Sequence, residues 1–142
     1  MLTPDVLPHW HLPEPRNAAT LLLRLMLGLM WLAHGLVLKL MTYGIAGSAA
    51  WLASIGLPSA LALPLILAET LGGTLILLGL HGRRASLALL PILLGALWFH
   101  AGKGWVFSNP DGGWEYPLFL VFASVLHLIL GDGKYAVRPE SR

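Results

Sequence analysis

From Asn17 to Tyr43 the chain is apolar except for Arg24, His34 and Lys39, and no proline interrupts it. At 1.5 Å per residue, a helix over this stretch crosses a hydrocarbon core of about 30 Å with room for tilt. Three more apolar runs follow, at about 60–80, 85–100 and 116–130. Only 11% of the 142 residues are charged, against roughly 25% in an average soluble domain. So short a chain has a large surface for its volume, and a soluble fold could not cover it with so few charges. Intrinsic disorder is excluded too, because it needs low hydrophobicity and high charge. What remains is a small integral membrane protein.

The runs predict an all-α fold, an antiparallel four-helix membrane bundle in contact with the lipid bilayer. Its domain is read as 17–131, with spans at about 17–43, 60–80, 85–103 and 115–131. Asn17 is the expected N-cap of the first. Residues 43–59 are too short to span and read as a brief interfacial helix between the first two spans. His81 to Arg84 read as a tight polar turn, and 101–114 as a glycine-rich loop with Asn109-Pro110 and Asp111-Gly112 turn signals. Residues 1–16 form a proline-rich tail without the basic start and apolar core of a signal peptide. Residues 132–142 form a polar tail. Basic residues sort to one side: Arg16, Arg83, Arg84, Lys134, Arg138 and Arg142, against Lys39 and Lys103 on the other. The positive-inside rule then predicts a multi-pass inner-membrane protein with both termini cytoplasmic. Trp51, Trp105 and Trp114 gather on the outer side as interfacial anchors.

Cysteine is absent, which removes thiolate zinc sites and iron–sulfur ligation by this chain. The net charge is +2 and the pI about 9.3, but the basic residues form no stripe, so no nucleic-acid partner is expected.

An ionisable group inside the bilayer costs at least ~2.5–3.5 kcal/mol on insertion scales, so each one marks a candidate site. Arg24 is expected to snorkel toward the inner surface. His34 and Glu69 fall at matched depths of ~13–17 Å on successive helices and are expected to pair. Lys39, His100, Lys103 and Glu115 lie toward the same outer side. Together they suggest a half-buried pocket for an anion or polar headgroup, gated by the 101–114 loop. In that pocket the lysines supply charge and the histidines proton transfer. His127 reads as a buried histidine satisfied by one neighbouring carbonyl. Gly72, Gly73 and Gly79 read as sites of close helix contact. His9 and His11 are too sparse on a proline-rich tail to suggest a metal site, and no metal ligands are assigned.

Several segments together carry a resemblance. The first span reads RLMLGLMWLAHGLVLKL from Arg24 to Leu40, and the loop ends in LASIGLP at 52–58. The second span holds LAETLGGTLILLGL at 67–80, followed by Arg83; GGWEYPL stands at 112–118 and GDGKY at 131–135. Over about residues 20–136 the chain resembles the DoxX family of four-helix bacterial membrane proteins. The positions carried by the resemblance are Arg24, His34, Gly35, Lys39, Glu69, Gly72, Gly73, His100, Trp114 and Glu115. The resemblance implies relatives that are subunits of thiosulfate:quinone oxidoreductase, and others in membrane complexes that respond to oxidative or metal stress. Relatives of similar length also occur beside genes for copper-handling peptides.

Two functions follow as expectations. The first is a membrane subunit of a quinone-linked oxidoreductase complex of the thiosulfate:quinone type, acting with partner subunits or as a homo-oligomer. His34, Glu69 and His100 would then serve the chemistry. Arg24, Lys39, Lys103, Trp114 and Glu115 would bind substrate or anion. Quinone is the expected cofactor; no motif supports haem. The alternative is a non-enzymatic membrane partner, an anchor or small transporter in an oxidative- or copper-stress system.

Overall fold

A computed structural model describes residues 14–138; His9 and His11 lie outside the described residues. Among the described residues the fold is all-α. Helix α1 (Pro15–Leu32) runs directly into a wide π-helical segment (Ala33–Thr42). The short helix α2 (Gly44–Ser54) and a 3-10 turn (Ser59–Leu61) lead into α3 (Ala62–Leu78). Then come α4 (Gly82–His100) and α5 (Glu115–Leu130). Three helical stretches are long and apolar enough to cross a membrane: Pro15–Thr42, Ser59–Leu78 and Gly82–His100. Helix α5 is apolar but shorter. Its 16 residues cover about 24 Å.

The first helix starts earlier than expected. Pro15 takes the first helical position, where its missing N–H and fixed φ cost nothing. Asn17 therefore sits inside the helix rather than capping it, and its Nδ2 donates to Glu14 Oε2 at 3.0 Å. Helix α4 likewise starts within the expected polar turn, at Gly82.

Helix α1 packs on α3, α3 on α4, α4 on α5, and α5 back on α1. Leu27, Trp31, Ile76, Leu89, Leu93 and Leu120 form the central core. The outward faces carry Leu22, Met26, Leu71, Trp98, Phe119 and Phe122, all exposed and apolar, as lipid contact requires. The α1–α3 contact is close because it is lined with glycine. A Cβ on Gly28 would sit 2.8 Å from Leu77 Cα, and one on Gly73 would sit 2.8 Å from Trp31 Cβ. Small residues allow this approach, and dispersion between tightly packed backbones replaces the hydrophobic drive that lipid cannot supply. Gly79 plays a different part from the one expected. It closes α3 in a left-handed conformation at φ 65° and faces Arg24 and Ala136.

The end where α1 begins and α5 finishes is joined by polar bonding. Asp132, just beyond α5, is 1% exposed. Its Oδ2 accepts the Gly82 N–H at 2.8 Å, which satisfies one of the free donors at the start of α4. Its Oδ1 lies 3.1 Å from His127 Nε2. The other ring nitrogen of His127 is 2.7 Å from Ser86 Oγ. His127 is thus held by two side chains, not by the single carbonyl expected of it. Arg24 is not a snorkelling anchor: it is 3% exposed, and it donates to the Asp132 carbonyl at 2.7 Å and the Tyr135 carbonyl at 2.8 Å. The following residues cross the end of α3. The Val137 N–H donates to Leu78 C=O at 2.9 Å, and the Arg138 N–H to Gly79 C=O at 3.2 Å. The start of the expected polar tail is therefore part of the packed fold.

Burial alone would raise the Asp132 carboxyl. His127 and the backbone N–H groups of Gly82 and Arg83 outweigh it and hold the group below the ordinary carboxylate range. A depressed folded pKa gives stability that is present above the unfolded value of about 3.9 and lost as pH falls below it. Thermal melting in mild detergent should show wild-type stability dropping below about pH 4. Asp132→Asn should be less stable at neutral pH and flatter in acid. Gly28→Ala should cost about 1–3 kcal/mol in the same melt, because the new Cβ meets backbone that cannot rotate away.

Candidate functional site: a two-chamber cavity at the loop end

The opposite end, where the 101–114 loop lies, is hollow. Its chemistry starts with the π-helical segment. There the backbone bonds run five residues back, as in the Tyr43 N–H to Leu38 C=O bond of 3.0 Å. Residues five apart then stand nearly above one another. In an α-helix His34 and Lys39 would be roughly 140° apart around the axis. The wider coil brings them to one side, facing α3.

Glu69 on α3 meets this side. Its carboxylate accepts from Lys39 Nζ at 2.6 and 2.9 Å. The Glu69 side chain is 3% exposed and the Lys39 side chain 21%. The expected His34–Glu69 pair is therefore replaced by Lys39–Glu69. The physical reason is geometric: the π-helical turn carries Lys39 Nζ to within hydrogen-bond distance of both Glu69 oxygens, and a buried carboxylate needs such a partner. Gly35 makes room for the pair. A Cβ there would lie 2.7 Å from Glu69 Cβ and 2.9 Å from the Thr70 nitrogen.

Two chambers open around these residues. One, of about 260 Å³, lies among α1, α3, α4, α5 and the 101–114 loop and is lined by Trp31, His34, Glu69, His100 and Tyr116, with Leu93 and Leu120. The other, of about 450 Å³, lies beside α2 and is lined by His34, Lys39, Tyr43, Ser48, Trp51 and His100. Both volumes fall at or near the lower part of the ~300–1,000 Å³ typical of small-molecule sites. His34 and His100 are the two residues common to both linings. Two buried polar atoms stand out in the walls of the 260 Å³ chamber. Trp31 Nε1 has no hydrogen-bond partner, and neither has His100 Nδ1, although the Asp111 backbone lies beside that ring. An unsatisfied buried donor costs about 1–3 kcal/mol, so such atoms signal a missing partner.

The remaining expected residues are placed elsewhere. Lys103 sits over the Phe99 ring, with Nζ 3.6 Å from its centroid. Glu115 opens α5 and accepts the Phe107 N–H at 2.9 Å, away from both chambers. Trp114 stacks edge-on against Trp105 at 4.4 Å. Arg24 is at the far end of the molecule. The structure thus brings together His34, Lys39, Glu69 and His100, and separates Arg24, Trp114 and Glu115 from them. Lys39 is engaged by Glu69, and Lys103 lies over Phe99. Trp31 and Tyr116 were not singled out from sequence; Trp31 stands one helical turn before His34, which is the signal that marks it. Among the described residues no three His, Asp or Glu side chains come close enough to hold a metal ion.

Ser86, His127 and Asp132 also combine the residue types of a nucleophilic triad. Each is at most 1% exposed, so no substrate reaches them. Their part is structural.

Removing Lys39 leaves a buried charge without its partner. Lys39→Met should destabilise the chain by about 3–5 kcal/mol, and the double variant Lys39→Met with Glu69→Gln should recover most of the loss. Chemical or thermal unfolding in detergent would read both.

Compared with known families, residues 19–102 match DoxX. That segment contains His34, Lys39, Glu69 and His100. No curated protein and no solved structure matches the chain. With more than half of its length in that match, the chain belongs to the DoxX family.

Proposed function

We propose that this chain is the membrane subunit of a quinone-linked oxidoreductase complex of the thiosulfate:quinone type. In this proposal α5 is the fourth span of an antiparallel bundle in the bacterial inner membrane. Both chain ends face the cytoplasm, because Arg16, Arg83, Arg84, Lys134 and Arg138 share the terminal end. The two chambers then open toward the outer leaflet.

One observation carries the proposal: the unpartnered Trp31 Nε1 and His100 Nδ1 belong to side chains that line a single chamber. An indole N–H donates only, and so calls for an acceptor such as a carbonyl oxygen. An imidazole nitrogen donates or accepts according to its tautomer. Apolar Met30, Ile92, Leu93 and Leu120 complete the lining. The Lys39–Glu69 pair is neutral as a unit, so the site suits an uncharged ligand better than an anion. A flat ring bearing two carbonyl oxygens on an apolar tail meets these demands, and the residues fit a quinone.

A bound quinone would supply two-electron, two-proton redox chemistry. Trp31 would hold one of its oxygens by donation from Nε1. His34 and His100 would hold and move protons at their ring nitrogens. Glu69 accepts from Lys39 and so fixes the position of the π-helical segment that carries His34. The anionic reductant is handled by a partner subunit, since both lysines at this end are engaged within the chain.

The test is quinone content. Protein purified in mild detergent should retain quinone near one per chain on solvent extraction. Trp31→Phe and His100→Leu should each lower affinity for a short-chain benzoquinone by roughly tenfold, the equivalent of one hydrogen bond at about 1.4 kcal/mol. Wild-type affinity in both variants would overturn the assignment.

A further inference from the structure

We infer that an open groove along α5 binds the apolar tail of the ligand whose head lies in the 260 Å³ chamber, and that this ligand enters sideways from the bilayer between α5 and the 101–114 loop. Naming the ligand a quinone rests on the proposed function; the path of its tail rests on the walls of the groove.

The groove, of about 440 Å³, is built by Glu115, Leu118, Phe119 and Phe122 of α5 with Trp105 and Phe107 of the loop. The four helical positions are spaced i, i+3, i+4 and i+7, so they form one stripe down the helix. From Glu115 to Phe122 the stripe covers about 10 Å of rise. Phe119 and Phe122 are 67% and 66% exposed, which turns the stripe toward lipid. The Glu115 N–H donates to the Trp105 C=O at 3.1 Å, and Glu115 Oε1 accepts the Phe107 N–H at 2.9 Å. Both loop aromatics are thereby pinned at the head of the stripe.

Phe107 and Tyr116 line the groove and the 260 Å³ chamber alike, so the two spaces meet at these rings. The chamber by itself lies below the ~300–1,000 Å³ typical of small-molecule sites, so it takes a ring and not a long tail. A tail on that ring must leave by an opening. The wall at Leu93 and Leu120 belongs to the buried core, where a methylene chain has no room. The 450 Å³ chamber, which shares His34 and His100, would set the tail against Lys39 and Ser48. A methylene chain desolvates such groups and returns no hydrogen bond. On the α5 side the charged group is Glu115 at the loop-end rim, and leucine and aromatic rings make the rest. Lipid is as apolar as the groove, so the tail gains no hydrophobic free energy by leaving the bilayer. The groove offers dispersion against preformed aromatic faces, which makes the contribution of the tail modest beside that of the head.

The experiment uses the full chain reconstituted in lipid bilayers and irradiated with a benzoquinone that carries a photoreactive diazirine partway along an alkyl tail. Mass spectrometry of the peptides reads the labelled positions. Label should concentrate within 105–122, and excess short-chain benzoquinone should remove most of it. Label concentrated within 38–65, along the 450 Å³ chamber, or spread over the lipid-facing residues of every helix, overturns the tail site. Phe119→Ala with Phe122→Ala gives a second readout without touching a buried residue. The pair should weaken a long-tailed benzoquinone by roughly three- to fivefold and leave the short-chain compound unchanged. Leu71→Ala, on the exposed face of α3, should change neither. Equal loss of both compounds, or loss of neither, overturns the tail site. Head and tail fail separately. Label on α5 that a ring-free isoprenoid alcohol removes and short-chain benzoquinone does not overturns the quinone and leaves the tail site standing. Binding of short-chain benzoquinone with the label elsewhere overturns the tail site and leaves the quinone standing.

Discussion

A carboxylate held between apolar helices is the constraint on which the loop end of this protein depends. Glu69 is 2% exposed, in a part of the molecule with little water to solvate it. An isolated charge there would be prohibitively costly, so the fold must bring a cation to it. It does so by widening the first helix. A continuous α-helix from Pro15 would turn Lys39 away from α3; the π-helical stretch from Ala33 to Thr42 turns it back. That stretch leaves gaps in packing as well as bonding, and the two chambers lie along it. The ion pair, the unusual helix and the cavity are one feature seen three ways.

The two ends of the molecule solve opposite problems. At the terminal end Arg24, Ser86, His127 and Asp132 make hydrogen bonds that join separate elements: α1 to the segment after α5, α4 to the same segment, and α5 to α4. At the loop end polar atoms are left without partners around open space. Satisfied networks rigidify and close; unsatisfied ones around a cavity invite a ligand. Membership of the DoxX family does not say which ligand. The quinone proposed for it rests on the unpartnered polar atoms and on the Lys39–Glu69 pair.

Much of the outline was legible in the chain. The apolar runs announce helices long enough to cross a membrane, because length and the absence of charge are local properties. The short piece at 43–59 was visible as a non-spanning helix for the same reason, and α2 fills it. Glu69 and His34 were visible as anomalies against an apolar background. Partner choice was not. Depth along a helix can be counted from sequence, but rotation about the axis depends on the helix type, and the switch from α to π redirects the side chains of a 10-residue stretch at once. His127 shows the same limit. Its burial could be anticipated, but Ser86 and Asp132 lie 41 residues before it and five after it, and no spacing rule links them.

The sequence by itself determined the environment and the material: a bilayer, mostly helical, with a small set of charges that needed explanation. Those follow from composition and run length, which no folding can alter. The tertiary structure decided which charges neutralise one another, which end is joined by polar bonds and where space remains. These outcomes depend on the packing of side chains distant in sequence and on small changes in helical twist. Composition carries no record of either.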